Sequence, residues 1–185
     1  MKTTLYIKNM VCDRCKSAVM RELNTLGYHI DSLELGQVVL DQDTPVEISK
    51  LEKNLQELGF ELLIEETDVL VEEIKIAIIN KIENQDHSNL PVFLTATFNK
   101  SYSVLSKLFS LKEGITIEKY RINLKMEKVK ELIQFGELNF SEIAYSLDYN
   151  NSGHLSKQFK HETGMSMTEF KNLRKWERKS IDDIV

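Results

Sequence analysis

The sequence is short of the residues that staple or punctuate a chain: among 185 residues there are two cysteines, two prolines, seven glycines and one tryptophan. Two cysteines are too few for a secreted disulfide scaffold, so the fold must rest on apolar cores, and a 42% hydrophobic composition is sufficient for them. No apolar run approaches the roughly 20 residues that a membrane span requires. The opening Met1-Lys2-Thr3-Thr4 leads directly into alternation, without a charged-then-apolar leader. These absences predict a cytoplasmic protein with no membrane partner. The glycines never fall into a phosphate-cradling or dinucleotide pattern, no nucleophile elbow or paired acidic motif occurs, and the four histidines are scattered. An enzyme is therefore not expected.

What the chain does have is an uneven distribution of charge. The net charge is −5, which read globally argues against nucleic acid. Residues 1–67 carry 7 basic and 12 acidic side chains and residues 68–89 carry 2 and 5, whereas residues 90–179 carry 15 and 10. The basic surplus lies on one segment, as phosphate contact requires.

That segment contains a repeat. Asn139 to Phe170 reads as a helix-turn-helix: Ile143, Ala144 and Leu147 recur at helical spacing, Asn139 and Glu142 form a capping box, and Asp148-Tyr149-Asn150-Asn151 stops the helix. A second helix turns Leu155 and Phe159 inward and leaves Ser152, Gly153, Ser156, Lys157 and Lys160 on the wet face. Fifty residues upstream, Leu105, Ser106, Lys107, Phe109, Gly114, Thr116 and Tyr120 match Leu155, Ser156, Lys157, Phe159, Gly164, Ser166 and Phe170 at one constant offset. A constant offset marks a repeated structural unit. Leu90 to Phe98 and Ser101 to Leu108 then supply the supporting and reading helices of the first module, and a helix over Ile117 to Phe135 joins the two modules. Twin reading helices can enter successive major-groove faces roughly 34 Å apart.

The pattern Leu-Ser-x-x-Phe-x-x-x-x-Gly-x-Ser/Thr-x-x-x-Tyr/Phe, given twice and containing Ser141-Glu142-Ile143-Ala144, resembles the DNA-binding domain of AraC-type transcription regulators over about Val69 to Lys175. Three positions depart from it: Asp148 stands where the family usually has Gly, and Ile117 and Met167 replace a first-turn Pro. The resemblance implies double-stranded DNA as partner, with groove contacts from Ser103, Ser106 and Lys107 in the first module and Ser152, Gly153, Ser156 and Lys157 in the second. For any one of these the alternative is an ordinary solvated helix face. Tyr102 and Tyr149 are expected to wedge the module turns. Trp176 is expected to pack the last helix, and Met126, Met165 and Met167 to fill cores. His154 and His161 lie two helical turns apart, too far to share one ion readily.

The first part of the chain reads differently. Strands over Thr4 to Ile7, Ile30 to Leu35, Gln37 to Leu40 and Phe60 to Ile64, with helices over Asp13 to Leu26 and from Pro45 to Gly59, give the order βαββαβ. The helix ends repeat as Leu23-x-x-Leu26-Gly27-Tyr28 and Leu55-x-x-Leu58-Gly59-Phe60, which suits a ferredoxin-like plan. Asn9-Met10-Val11-Cys12-Asp13-Arg14-Cys15 resembles the metal loop of the heavy-metal-associated domain of copper chaperones, with Asn9 for the family's Gly and Val11 for its Thr. Soft thiolates beside a helix N-terminus favour Cu(I) or another soft metal ion, and a closed tetrahedral site would need two further ligands. A redox dithiol and inert thiols are the alternatives. From Thr67 a further helix is expected, with Leu70, Val71, Ile74, Ala77, Ile78 and Ile82 as its stripe, widened by Val69, Ile76 and Ile79.

The expected architecture is α+β, with a ferredoxin-like domain over residues 1–66 and an all-α domain with two helix-turn-helix modules over 67–185. The expected function is a sequence-specific transcription regulator that senses a soft metal through Cys12 and Cys15, with the transcription machinery and a second copy of the chain as further partners. Two alternatives stand beside it: a regulator whose first domain serves only dimerisation or partner docking, and a metal carrier or dithiol redox protein that does not bind DNA.

Overall fold

Alternating apolar residues in the first stretch make strands, and their register gathers the apolar side chains on one face. In the computed structural model, which describes residues 2–41 and 47–173, the elements run β1 (Lys2–Lys8), α1 (Asp13–Thr25), β2 (Ile30–Glu34), β3 (Gln37–Asp41), α2 (Ile48–Glu57) and β4 (Glu61–Leu63). The strands form one antiparallel sheet in the order β2-β3-β1-β4. Leu5 pairs with Val38, Thr3 with Leu40 and Ile7 with Leu62. Leu5, Ile7, Val38, Leu40 and Leu62 are buried together with Val19 and Leu23 of α1 and Leu51 and Leu55 of α2, so both helices contribute to one core. Burying side chains of this size stabilises by roughly 1.5–3 kcal/mol each.

The strand β1 is longer at both ends than the alternation predicts, and α2 starts at Ile48, after Pro45, which lies outside the described residues.

Eighteen residues with few helix breakers then form α3 (Glu66–Glu83). The chain divides into two compact units with the boundary inside this helix, between Ala77 and Ile78. Within the first unit Val71 and Ile74 are buried. Gly36, in the β2–β3 turn, has φ 72°, a left-handed backbone that favours glycine, and Ile76 Cδ1 packs against it. Glu72 and Lys75 are buried as well, an ion pair of 3.3 Å that the apolar pattern of this helix does not announce.

The second unit is helical: α4 (Leu90–Phe98), α5 (Tyr102–Glu113), α6 (Ile117–Phe135), α7 (Phe140–Ser146), α8 (Ser152–Thr163) and α9 (Met167–Lys171) follow the end of α3. α4 and α6 have the boundaries that the sequence predicts, whereas α5 runs five residues beyond Leu108 to a glycine stop. Among the described residues, no helix is long and apolar enough to cross a membrane. Trp176 lies outside the described residues.

Candidate nucleic-acid interface

Each module is built by local signals that recur at the fifty-residue offset. Asn89 and Asn139 cap the supporting helices α4 and α7. The side-chain oxygens of Ser101 and Asn151 accept from the backbone N–H of Val104 and His154, starting the reading helices α5 and α8. Gly114 and Gly164 end those helices at φ 72° and 80°, where only open space surrounds an added Cβ; these glycines are required by the left-handed backbone and not by crowding. Thr116 and Ser166 then cap α6 and α9. A cap is worth roughly 1 kcal/mol, so each boundary is set twice by the same chemistry.

The inward faces repeat too. Leu105 and Phe109 in α5, and Leu155 and Phe159 in α8, are fully buried. Phe109 lies 5.5 Å from the Tyr120 ring, and Phe159 lies 5.7 Å from Phe170, the residue at the matching position. The residues that stand where a first-turn Pro is usual, Ile117 and Met167, are buried, so each exchanges a helix-starting ring for core volume. Met126 is buried and Met165 half-buried against the same core.

With those faces turned inward, the opposite faces are set. Lys107 and Lys157 are exposed, as are Ser103 and Gly153, while Ser106, Ser152 and Ser156 are half-buried. The structure thus places these seven residues on the two reading helices, with the lysine ammonium groups on the outward side. Four residues left out by the sequence-based assignment share these faces: Val104 and Leu111 on α5, and His154 and His161 on α8, all exposed. The spacing i, i+3, i+7 through Val104, Lys107 and Leu111 was the available signal.

The turn of the second module is held by polar contacts. Asp148 adopts φ 61°, the left-handed conformation that Gly more usually supplies. Tyr149 is buried and donates its hydroxyl to Gln158 Oε1 at 2.7 Å, which ties the turn to α8, and burial pushes its pKa up to about 12. Lys125 of α6 donates to the Leu147 carbonyl at 2.6 Å and lies over the Tyr149 ring at 5.1 Å. Lys119, near the start of α6, pairs with Glu162 of α8 and so fastens the joining helix to the second reading helix.

In the first unit, Cys12 and Cys15 meet where the loop after β1 becomes α1, with Sγ atoms 3.2 Å apart and both thiols free. Cys12 is the N-cap residue of α1. Burial acts to raise its pKa, but hydrogen bonds from Cys15 and Arg14 outweigh this and lower it; Cys15 is raised by burial and by its contact with Cys12. Asn9 stands in the left-handed region at φ 69°, which Asn enters more readily than most side-chain-bearing residues. Its backbone N–H donates to Glu72 Oε1 at 3.1 Å, so the cysteine loop is clasped to α3. Met10 is fully buried in the core and offers no sulfur to a ligand.

Comparison with known proteins finds relatives for part of the chain. The Msm operon regulatory protein of Streptococcus mutans is 27% identical over 100 residues, 51% of this chain and 36% of that protein, so the chain spans about a third of the length of this curated relative. The C-terminal domain of AraT, a response regulator from Geobacillus stearothermophilus, superposes with a TM-score of 0.52 at 23% identity, covering 60% of this chain and 90% of that one. A DNA-binding transcriptional dual regulator from Escherichia coli K-12 gives 0.48 at 20% identity, over 55% and 88%. The family described as "Helix-turn-helix domain" matches residues 94–173. That match spans both reading helices.

Proposed function

We propose that this protein is a DNA-binding transcription regulator of the AraC type whose first unit senses a soft metal ion through Cys12 and Cys15. The observation that carries the reading is the repeated module: two reading helices, capped alike and stopped alike at one fixed offset, each with an exposed lysine at the same position. The name of the Streptococcus mutans relative, an operon regulatory protein, supports the same role. Lys107 and Lys157 supply phosphate or guanine contacts, and Ser103, Ser106, Ser152, Gly153 and Ser156 allow the groove to approach closely.

The sheet order β2-β3-β1-β4 and the alternation of strands and helices support a ferredoxin-like, heavy-metal-associated reading of the first unit. The donor set fits Cu(I): two convergent sulfurs, one of them acidified, at a helix start. Thiols already in contact would part to admit an ion between them. Such a movement reaches α3 through the clasp between Asn9 and Glu72. For that to regulate, metal must favour one arrangement of the protein over another. The reading also places the protein in the cytoplasm, with a second copy of the chain and the transcription machinery as partners.

The test is selection of duplexes from a random pool by the full chain, with and without Cu(I). The expected result is a recurring bipartite site whose affinity changes with Cu(I) for the wild type and not for Cys12→Ser/Cys15→Ser. If no duplex is recovered, the DNA-binding reading falls. If the recovered site is indifferent to Cu(I), the sensing role falls, and a first unit that serves pairing or docking takes its place.

A further inference from the structure

On α5 the exposed face that carries Lys107 also carries two large apolar side chains, Val104 at 53% and Leu111 at 78% exposure. They lie at i−3 and i+4 from the lysine and so flank it on one helical face. Single exposed apolar residues are common on protein surfaces and mean little. Here the repeat supplies an internal control: the positions fifty residues on are His154, whose ring meets Tyr149 edge-on at 5.5 Å, and His161, both also exposed, on a helix of the same length with the matching residues buried. Packing of the module therefore does not demand an apolar residue at either place. What differs between the two helices is the chemistry offered outward, aliphatic in the first and imidazole in the second.

A duplex has one apolar group in its major groove, the thymine 5-methyl. We propose that Val104 and Leu111 read thymine methyl groups, so that the first module is specific for thymine at the steps they face while the second module reads its half-site through polar contacts. This rests on the DNA-binding reading above. Lys107 anchors the helix against phosphate or guanine, and the two aliphatic side chains leave water on meeting the methyl groups. Cytosine, which offers an amino donor without the methyl, strands them against polar surface.

The experiment uses the duplex recovered from the random pool by the full chain. Each thymine is replaced in turn by deoxyuridine, which deletes the methyl and keeps every hydrogen-bonding group, and affinity is followed by fluorescence anisotropy at one salt concentration. The half-site of the first module is identified as the one whose protection is lost in Lys107→Ala. In that half-site at least one replacement is expected to weaken binding about fourfold, the value of one buried methyl. Val104→Ala and Leu111→Ala should lower affinity for the thymine duplex while leaving the deoxyuridine duplex unchanged; His154→Ala and His161→Ala should preserve the discrimination. Silence of every replacement in the wild type would overturn the proposal and leave DNA binding intact, as would equal weakening of both duplexes by Val104→Ala. If the two variants bind both duplexes normally but change the sedimenting mass of the chain, the face is a contact between copies and the proposal fails. Failure to recover any duplex removes this inference together with the reading on which it rests.

Discussion

Lys125 carries its ammonium group into the interior to reach one carbonyl, that of Leu147, where α7 gives way to the module turn. Burial, and then the nearby Arg121 charge, brings its pKa from 10.5 down to about 8. The folded state therefore releases this proton before the unfolded chain does. Between about pH 8 and 10.5 the unfolded state holds more protons, and folded stability rises with pH through that window. Lys125→Met abolishes the rise, so from pH 7 to pH 9.5 the wild type should gain on the order of 1–2 kcal/mol relative to the variant. Urea midpoints at the two pH values measure it, and parallel behaviour would show that Lys125 keeps its ordinary pKa and stays charged in its buried position. One residue along from Leu147, Asp148 holds φ 61°. Its contact with His87, 3.7 Å between two half-exposed side chains, contributes little. Asp148→Gly removes the steric cost of the left-handed backbone and should stabilise by about 0.5–1 kcal/mol; a lower urea midpoint would mean that the contact with His87 matters more than the backbone.

Among the elements, the supporting helix α7 has only seven residues and depends on its ends. The Asn139 side chain accepts from the N–H groups of Ser141 and Glu142 at 2.9 and 3.1 Å, and the Glu142 carboxylate accepts in return from the Asn139 N–H at 2.7 Å. At the reading helix α5 the cap is a single contact of 3.4 Å from the Val104 N–H to Ser101 Oγ, on a helix of twelve residues. Asn139→Ala should therefore cost about 1–2 kcal/mol and Ser101→Ala a few tenths to 1 kcal/mol. Amide hydrogen exchange over residues 140–146 and 102–113 distinguishes them, and equal losses would contradict the geometry. These caps also show why so much of the second unit is legible in sequence. Asn89, Thr116 and Gly136 act on neighbours three or four residues away, so the starts of α4 and α6 and the end of α6 can be bounded from the chain alone. Asn9 is brought to Glu72 and the Leu147 carbonyl to Lys125 by folding, and although Glu72 and Lys75 are near in sequence, nothing local marks any of these side chains as buried. Val104 and Leu111 are masked for the opposite reason: apolar residues on a helix are expected to face inward, and their spacing with Lys107 is outweighed by that expectation until the burial of Leu105 and Phe109 fixes the helix face.

At the scale of the whole molecule the electrostatics set one unit against the other. The chain as a whole is negative by five charges, while residues 90–179 hold 15 basic and 10 acidic side chains. Part of that basic complement is engaged internally: Lys119 with Glu162, Lys128 with Glu83 and Glu131, Lys130 with Glu127, and Lys125 with a carbonyl. Lys119–Glu162 and Lys128–Glu83 join α6 to other helices, Lys128–Glu131 and Lys130–Glu127 lie within α6, and all of them add little field at a distance. On the proposed reading, Lys107 and Lys157, exposed on α5 and α8, meet the duplex, and a net-acidic protein cannot rely on its overall charge to hold one. Each phosphate contact releases about one condensed counterion, so each lysine that makes such a contact contributes close to one unit to the slope of log affinity against log salt. Lys107→Ala with Lys157→Ala should therefore reduce that slope by about two and weaken binding at low salt for selected and unrelated duplexes alike. A loss confined to the selected duplex, with the slope unchanged, would instead assign both lysines to guanine recognition. An unchanged affinity and an unchanged slope together would remove these two helices from the interface.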